Sequence, residues 1–160
     1  MMNSQFNDLT GDTQDFYPER HRSEIDAIND RIYHDINNGV YKTGFATTHA
    51  VYEEEYSRVF TALDWLEERL TQRTFLVGDS VTEVDWRLFT TLVRFDSVYH
   101  GHFKLNRQKL SEFPRLSDYI ERLKAVPGVS ETINQDHIKV HYYGSHASIN
   151  PTGIVPLGPV

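Results

Sequence analysis

Phe75 to Asp96 reads FLVGDSVTEVDWRLFTTLVRFD, a glycine turn followed by a capping box and an apolar helix. The order of these signals decides the fold. Thr82 stands where an N-cap residue accepts a hydrogen bond from the backbone N–H of Asp85, and the Asp85 carboxylate can reach back to the N–H of Thr82. This exchange satisfies two orphan donors at a helix start, with Asp in the place that Glu or Gln usually takes. Val81 before the cap and Trp86 at the fourth helical position have the spacing of a hydrophobic staple, while Leu88, Phe89, Leu92, Val93 and Phe95 continue an apolar face. The stretch predicts a buried helix from Thr82 to Val98.

Helical periodicity extends to both sides of it. Ile25, Ile28, Ile32 and Ile36 recur at helical spacing, with Glu24, Asp26, Asp30 and Arg31 elsewhere on the wheel and Asn37-Asn38-Gly39 as a stop. From Thr48, the residues Tyr52, Tyr56, Val59, Phe60, Leu63, Leu66 and Leu70 trace a longer amphipathic helix that ends before Gly78-Asp79. Antiparallel packing of these two helices is expected. Beyond the capped helix come a loop at His100-Gly101-His102, a short helical piece over Asn106 to Leu110, and a helix opened by Pro114 with Leu116, Tyr119, Ile120 and Leu123 as its core face. Pro127-Gly128 breaks the pattern. A last helix over Ile133 to Tyr143 offers Ile133, His137, Ile138 and His141 to one broad face, with Gly144 to end it. The expected architecture is all-α, a bundle of about six helices with almost no strand. Residues 1–18 read as an irregular leader, 19–143 as the helical domain, and 144–160, rich in proline and glycine, as an extended tail.

Composition limits what such a bundle does. With 160 residues, 39% hydrophobic and 12% aromatic, the chain suits one domain able to bury a core without staples. The net charge of −7 and the lack of interleaved aromatics around Lys104, Arg107, Lys109 and Arg115 argue against nucleic acid as a partner. No apolar run has the length of a membrane span, and the N-terminus lacks the features of a signal peptide, so a cytoplasmic protein is expected. With no cysteine, the chain has neither disulfides nor a thiol nucleophile of its own.

Three segments go beyond fold: Asn37 to Ala46, NNGVYKTGFA; Val84 to Asp96, VDWRLFTTLVRFD; and Asp136 to His146, DHIKVHYYGSH, running into INPTG at Ile149 to Gly153. Together they resemble the glutathionyl-hydroquinone reductases, the xi-class, omega-like glutathione transferases, and the resemblance spans Asn3 to Pro159. The capped helix itself resembles the buried central helix of the all-helical C-terminal domain of glutathione transferases, where Thr82 and Asp85 would be structural capping residues. The resemblance implies a two-domain enzyme in which a thioredoxin-like N-terminal domain binds glutathione and presents a cysteine in a Cys-Pro-Trp-Ala motif. That domain is absent from this chain, so no catalytic nucleophile is expected here, and the chain alone is expected to be inactive. The implied partners are a quinone or hydroquinone small molecule, a thioredoxin-like domain, and a second copy joined through the helical domain.

Carried over residue by residue, Tyr41 in NNGVYKTGFA and Tyr142 in HYYGSH match family tyrosines that point into the substrate pocket. A phenol of pKa about 10 stays protonated at neutral pH and can donate a hydrogen bond to a hydroquinone oxygen. The alternative is that both rings only pack. His141 and His146 are further candidates for the pocket wall beside Tyr142. His137 and His141 also have the spacing of metal ligands, but the Glu of a metalloprotease helix is missing, and no metal is expected. Arg87 and Arg94 are expected to pair with acids or cap carbonyls, Glu53-Glu54-Glu55 to be a solvated surface, and His100 and His102 to be bland surface. The other functional class is a non-catalytic interaction module with the same helical fold. Under the fragment reading, the surface left open includes Tyr41 and part of the central helix.

Overall fold

The computed structural model describes residues 3–158. Among them there is no strand, and the chain is built of α-helices, single 3₁₀ turns and two π-turns. α1 (Asn7–Thr10) is one turn in the leader and buries nothing. α2 (Arg22–Ile32) runs into a π-turn (Tyr33–Asn37), α3 (Gly39–Gly44) follows at once, and α4 (His49–Arg69) is the longest helix. α5 (Glu83–Arg94) is the capped helix, prolonged by a second π-turn (Phe95–Tyr99); α6 (Pro114–Lys124) and α7 (Gln135–Ser145) complete the bundle.

The capping box is present at the start of α5. Asp85 Oδ2 accepts from Thr82 N and Thr82 Oγ1, both at 2.8 Å, while Oδ1 accepts from Leu76 N at 2.9 Å and from the Tyr119 hydroxyl at 2.7 Å. One carboxylate thus ties the glycine turn, α5 and α6 together with no surface exposed to solvent. Burial and the adjacent Asp85 charge hold the Tyr119 phenol well above its usual pKa. In the core that Tyr119 joins, Ile25, Phe60, Leu63, Leu66, Leu88 and Phe95 are almost fully buried, and each contributes about 1.5–3 kcal/mol by leaving water.

Several local expectations need correction. Asn37-Asn38-Gly39 does not stop the chain: Asn38 N donates to Tyr33 O at 3.0 Å, a π-type bond, and α3 begins at Gly39. Gly39 serves close approach instead, since a Cβ there would lie 2.9 Å from Val59 Cγ2 on α4. α2 itself packs chiefly on α5, and it is α3 and the π-turn that lie along α4. The short helical piece sits at Leu110–Glu112, not Asn106 to Leu110, because Asp96 Oδ1 accepts from Leu110 N at 2.6 Å and fixes the turn there. α7 passes through Gly144 to Ser145. Its buried face is set by Lys139 and Tyr142, while His137 and His141 are exposed. The leader is tied down by Phe16, whose carbonyl accepts from Glu83 N at 2.8 Å. In the tail, Leu157 O accepts from the buried Lys139 Nζ at 3.1 Å. The leader and tail expectations for residues 1–2 and 159–160 lie outside the described residues.

Candidate functional site

Three tyrosines from three parts of the chain meet at one end of the bundle. α3 supplies Tyr41, the π-turn after α5 supplies Tyr99, and α7 supplies Tyr142. The Tyr41 and Tyr142 hydroxyls are 2.6 Å apart, and those of Tyr99 and Tyr142 are 2.9 Å apart. Tyr99 and Tyr142 are buried, whereas Tyr41 keeps 39% of its surface exposed and forms the open edge. Phe103 backs the group, stacking on Tyr99 with ring centres 5.3 Å apart and meeting Tyr41 edge-on at 5.4 Å. Tyr41 is placed by the first π-turn, which Asn37 anchors to α5 by donating to Thr91 Oγ1 at 2.5 Å and Arg87 O at 3.2 Å.

Burial governs the acidity of this group. It pushes the Tyr142 phenol up to about 12, the bond to Tyr41 adding to the rise and the bond from Tyr99 opposing it. Tyr99 is driven far above the ordinary phenol range, first by burial and then by its bond to Tyr142. Both therefore keep their protons at neutral pH and can act only as neutral donors and acceptors.

Beside the tyrosines stand the imidazoles of His102 and His146, with Nε2 and Nδ1 3.1 Å apart. The expectation of a bland surface for His102 fails: it is 5% exposed and stacks on His146 and Phe103. Burial lowers the pKa of His102, helped by the charge of His146; burial also lowers that of His146, helped by His141. His146 meets Tyr142 and Phe45 edge-on at 5.5 and 5.0 Å between ring centres. His141 lies at the exposed rim, 5.2 Å from the Tyr142 ring. The structure therefore brings Tyr41, Tyr142, His141 and His146 together, while Thr82 and Asp85 lie in the core as a cap. The sequence reading singles out neither Tyr99 nor Phe103, and it assigns His102 only to the surface. Carrying the period of Leu92 and Phe95 one turn further would have reached Tyr99.

Among the described residues, no group of three or more His, Cys, Asp or Glu gathers as a metal site, and no helix is long and apolar enough to cross a membrane. Arg87 pairs with Glu83 at 3.3 Å, and Arg94 bonds the Thr90 carbonyl within its own helix. A second feature lies along α5: an open, largely apolar hollow of about 610 Å³ whose wall includes Phe16, Tyr33, Asn37, Trp86, Arg87 and Thr90.

Residues 50–122, from α4 into α6, match the family model described as glutathione S-transferase, C-terminal domain. The chain is 55% identical over 159 residues to the glutathionyl-hydroquinone reductase PcpF of Sphingobium chlorophenolicum, covering 99% of this chain and 51% of that protein. It is 45% identical over 159 residues to the glutathionyl-hydroquinone reductase YqjG of Escherichia coli K12, covering 99% and 48%. Among solved structures, glutathione-bound YqjG superposes with a TM-score of 0.97 over 100% of this chain and 52% of that one at 45% identity. The glutathione-S-transferase Xi of Phanerochaete chrysosporium also reaches 0.97, at 44% identity, over 100% and 55%. The chain thus spans about half the length of the curated relatives it matches. On fold, sequence and structural likeness together, the chain belongs to the glutathione transferases as a C-terminal helical domain, similar along its length to those of the xi class.

Proposed function

We propose that this chain is the substrate-binding half of a cytoplasmic, glutathione-dependent reductase that removes glutathione from glutathionyl-hydroquinones. The observation that carries the reading is the pair of hydroxyls of Tyr41 and Tyr142, 2.6 Å apart at an edge where Tyr41 is open to solvent. A phenol held at such an edge by a second one is suited to donate to an oxygen of a hydroquinone, and the exposed Phe45 with the neighbouring His146 suits its ring. His141 and His146 stand beside the Tyr142 ring.

The chemistry belongs to a thioredoxin-like domain that supplies glutathione binding and a cysteine thiolate. The thiolate attacks the glutathionyl sulfur, the carbon–sulfur bond breaks, and the ring carbon leaves with the electron pair and takes a proton. A second glutathione then attacks the mixed disulfide, regenerates the cysteine and forms oxidised glutathione. In this scheme the tyrosines orient the ring and stabilise charge that develops on its oxygens as sulfur departs. The apolar hollow along α5 is the face proposed to be covered by the thioredoxin-like domain. A homodimer through the helical domain completes the proposed assembly.

The test compares this chain alone with the chain fused to a thioredoxin-like domain from a related reductase, using a glutathionyl-hydroquinone and glutathione. Activity is expected only in the fusion and is expected to fall about tenfold or more on Tyr41→Phe or Tyr142→Phe. A folded fusion with no activity would replace this reading with that of a non-catalytic interaction module.

A further inference from the structure

The tyrosine group has a direction built into it. Among the described residues the Tyr99 hydroxyl has one hydrogen bond, to the Tyr142 hydroxyl at 2.9 Å, and Tyr99 is 2% exposed. Were Tyr142 the donor, the buried Tyr99 proton would have only the more distant Tyr41 hydroxyl to meet, the costlier of the two arrangements. Tyr99 therefore donates. The Tyr142 oxygen is then engaged, and its own proton finds the Tyr41 oxygen 2.6 Å away. Tyr41, having accepted, is left with its proton free to turn to the open edge.

We propose that Tyr99 is a positioning residue of this site: by donating to Tyr142 it orients a chain of hydroxyls from Tyr99 through Tyr142 to Tyr41, so that the outermost O–H is aimed at a phenolic oxygen of the ligand. The inference rests on the reading of the site as one for hydroquinones, and it adds a member that never touches the ligand. Hydroxyls linked in series polarise one another, so a hydroxyl that already accepts from its neighbour donates more strongly. Burial supports the order by holding Tyr99 the most firmly protonated of the buried pair. The other ionisable groups around the trio are His141 and His146 at the end of α7, His102 after the second π-turn, and Arg94 on α5.

The experiment uses this chain and two readouts. With its tyrosines replaced biosynthetically by 3-fluorotyrosine, whose phenol is more acidic, ¹⁹F NMR follows the titration of the Tyr142 ring before and after Tyr99→Phe. Loss of the donor is expected to raise the Tyr142 midpoint. Binding of 4-nitrophenol, whose phenolate is seen by its colour, is then measured in the unlabelled chain for wild type, Tyr99→Phe and Tyr142→Phe. Tyr99→Phe is expected to weaken phenolate binding about three- to tenfold while leaving the neutral phenol bound as before. An unmoved Tyr142 midpoint overturns the proposal. A raised midpoint with unchanged phenolate affinity, where Tyr142→Phe does weaken it, also overturns it and leaves the hydroquinone reading standing. Failure of the wild type to bind either form of the probe defeats the hydroquinone reading itself.

Discussion

Asp85 accepts four hydrogen bonds while fully buried, so removing its carboxylate strands donors on three segments at once. Asp85→Ala is expected to lower the unfolding free energy by about 3 kcal/mol or more, and Tyr119→Phe by about 1 kcal/mol, both read from urea denaturation. The half of this hub within Thr82 to Asp85 was legible in the sequence, because a capping box is a local pattern. Leu76 and Tyr119 were not, because nothing local says which distant donor a second carboxylate oxygen will meet. The His102–His146 pair carries its own prediction. Both imidazoles have a lowered folded pKa, so the unfolded chain binds more protons once the pH falls below the ordinary histidine value of about 6.5. The stability contributed by the neutral pair is present above that pH and is lost as the pH drops toward the folded values. Denaturation midpoints measured on either side of pH 6.5 are expected to show this loss, and His102→Gln is expected to flatten it.

At the scale of elements, helix existence followed from periodicity, while the joints between helices did not. Ile25 to Ile36 and Leu88 to Phe95 declared their buried faces, but the π-turns at Tyr33–Asn37 and Phe95–Tyr99 depend on tertiary contacts such as the Asn37 clamp on α5. α7 was read by its histidines because they are polar and conspicuous, yet it buries Lys139 by giving its ammonium the Leu157 carbonyl. The end of α3 has a sharper constraint. A Cβ on Gly44 would overlap the fully buried ring of Phe103, which has no free space to retreat into. Gly44→Ala is expected to cost about 1–3 kcal/mol and to disturb the tyrosine group as Phe103 shifts, visible as a lower melting temperature together with altered near-UV circular dichroism.

Across the whole molecule, an all-α bundle was readable from the spacing of apolar residues, whereas the site was readable only through likeness to a family. Tyr41, Tyr99 and Tyr142 lie far apart in sequence, and no composition or period links them. The molecule carries two surface features, the tyrosine edge and the hollow beside α5. Tyr33, 54% exposed on the wall of that hollow, is free of the core, so Tyr33→Asp is expected to leave thermal stability nearly unchanged. The same substitution is expected to weaken association with a family thioredoxin-like domain about tenfold or more, as calorimetric titration would record. The two π-turns have a final consequence for how such a chain can change over generations. Each accommodates one residue beyond the regular helical repeat, and an α-helix advances about 100° per residue. Deleting a single residue from Phe95–Tyr99 would let the backbone relax to a regular helix while leaving Tyr99 close to its present phase, because the wide turn had absorbed the extra residue. The turn is thus a place where one codon can be lost with the trio of hydroxyls kept near its alignment, a tolerance that a regular helix does not offer.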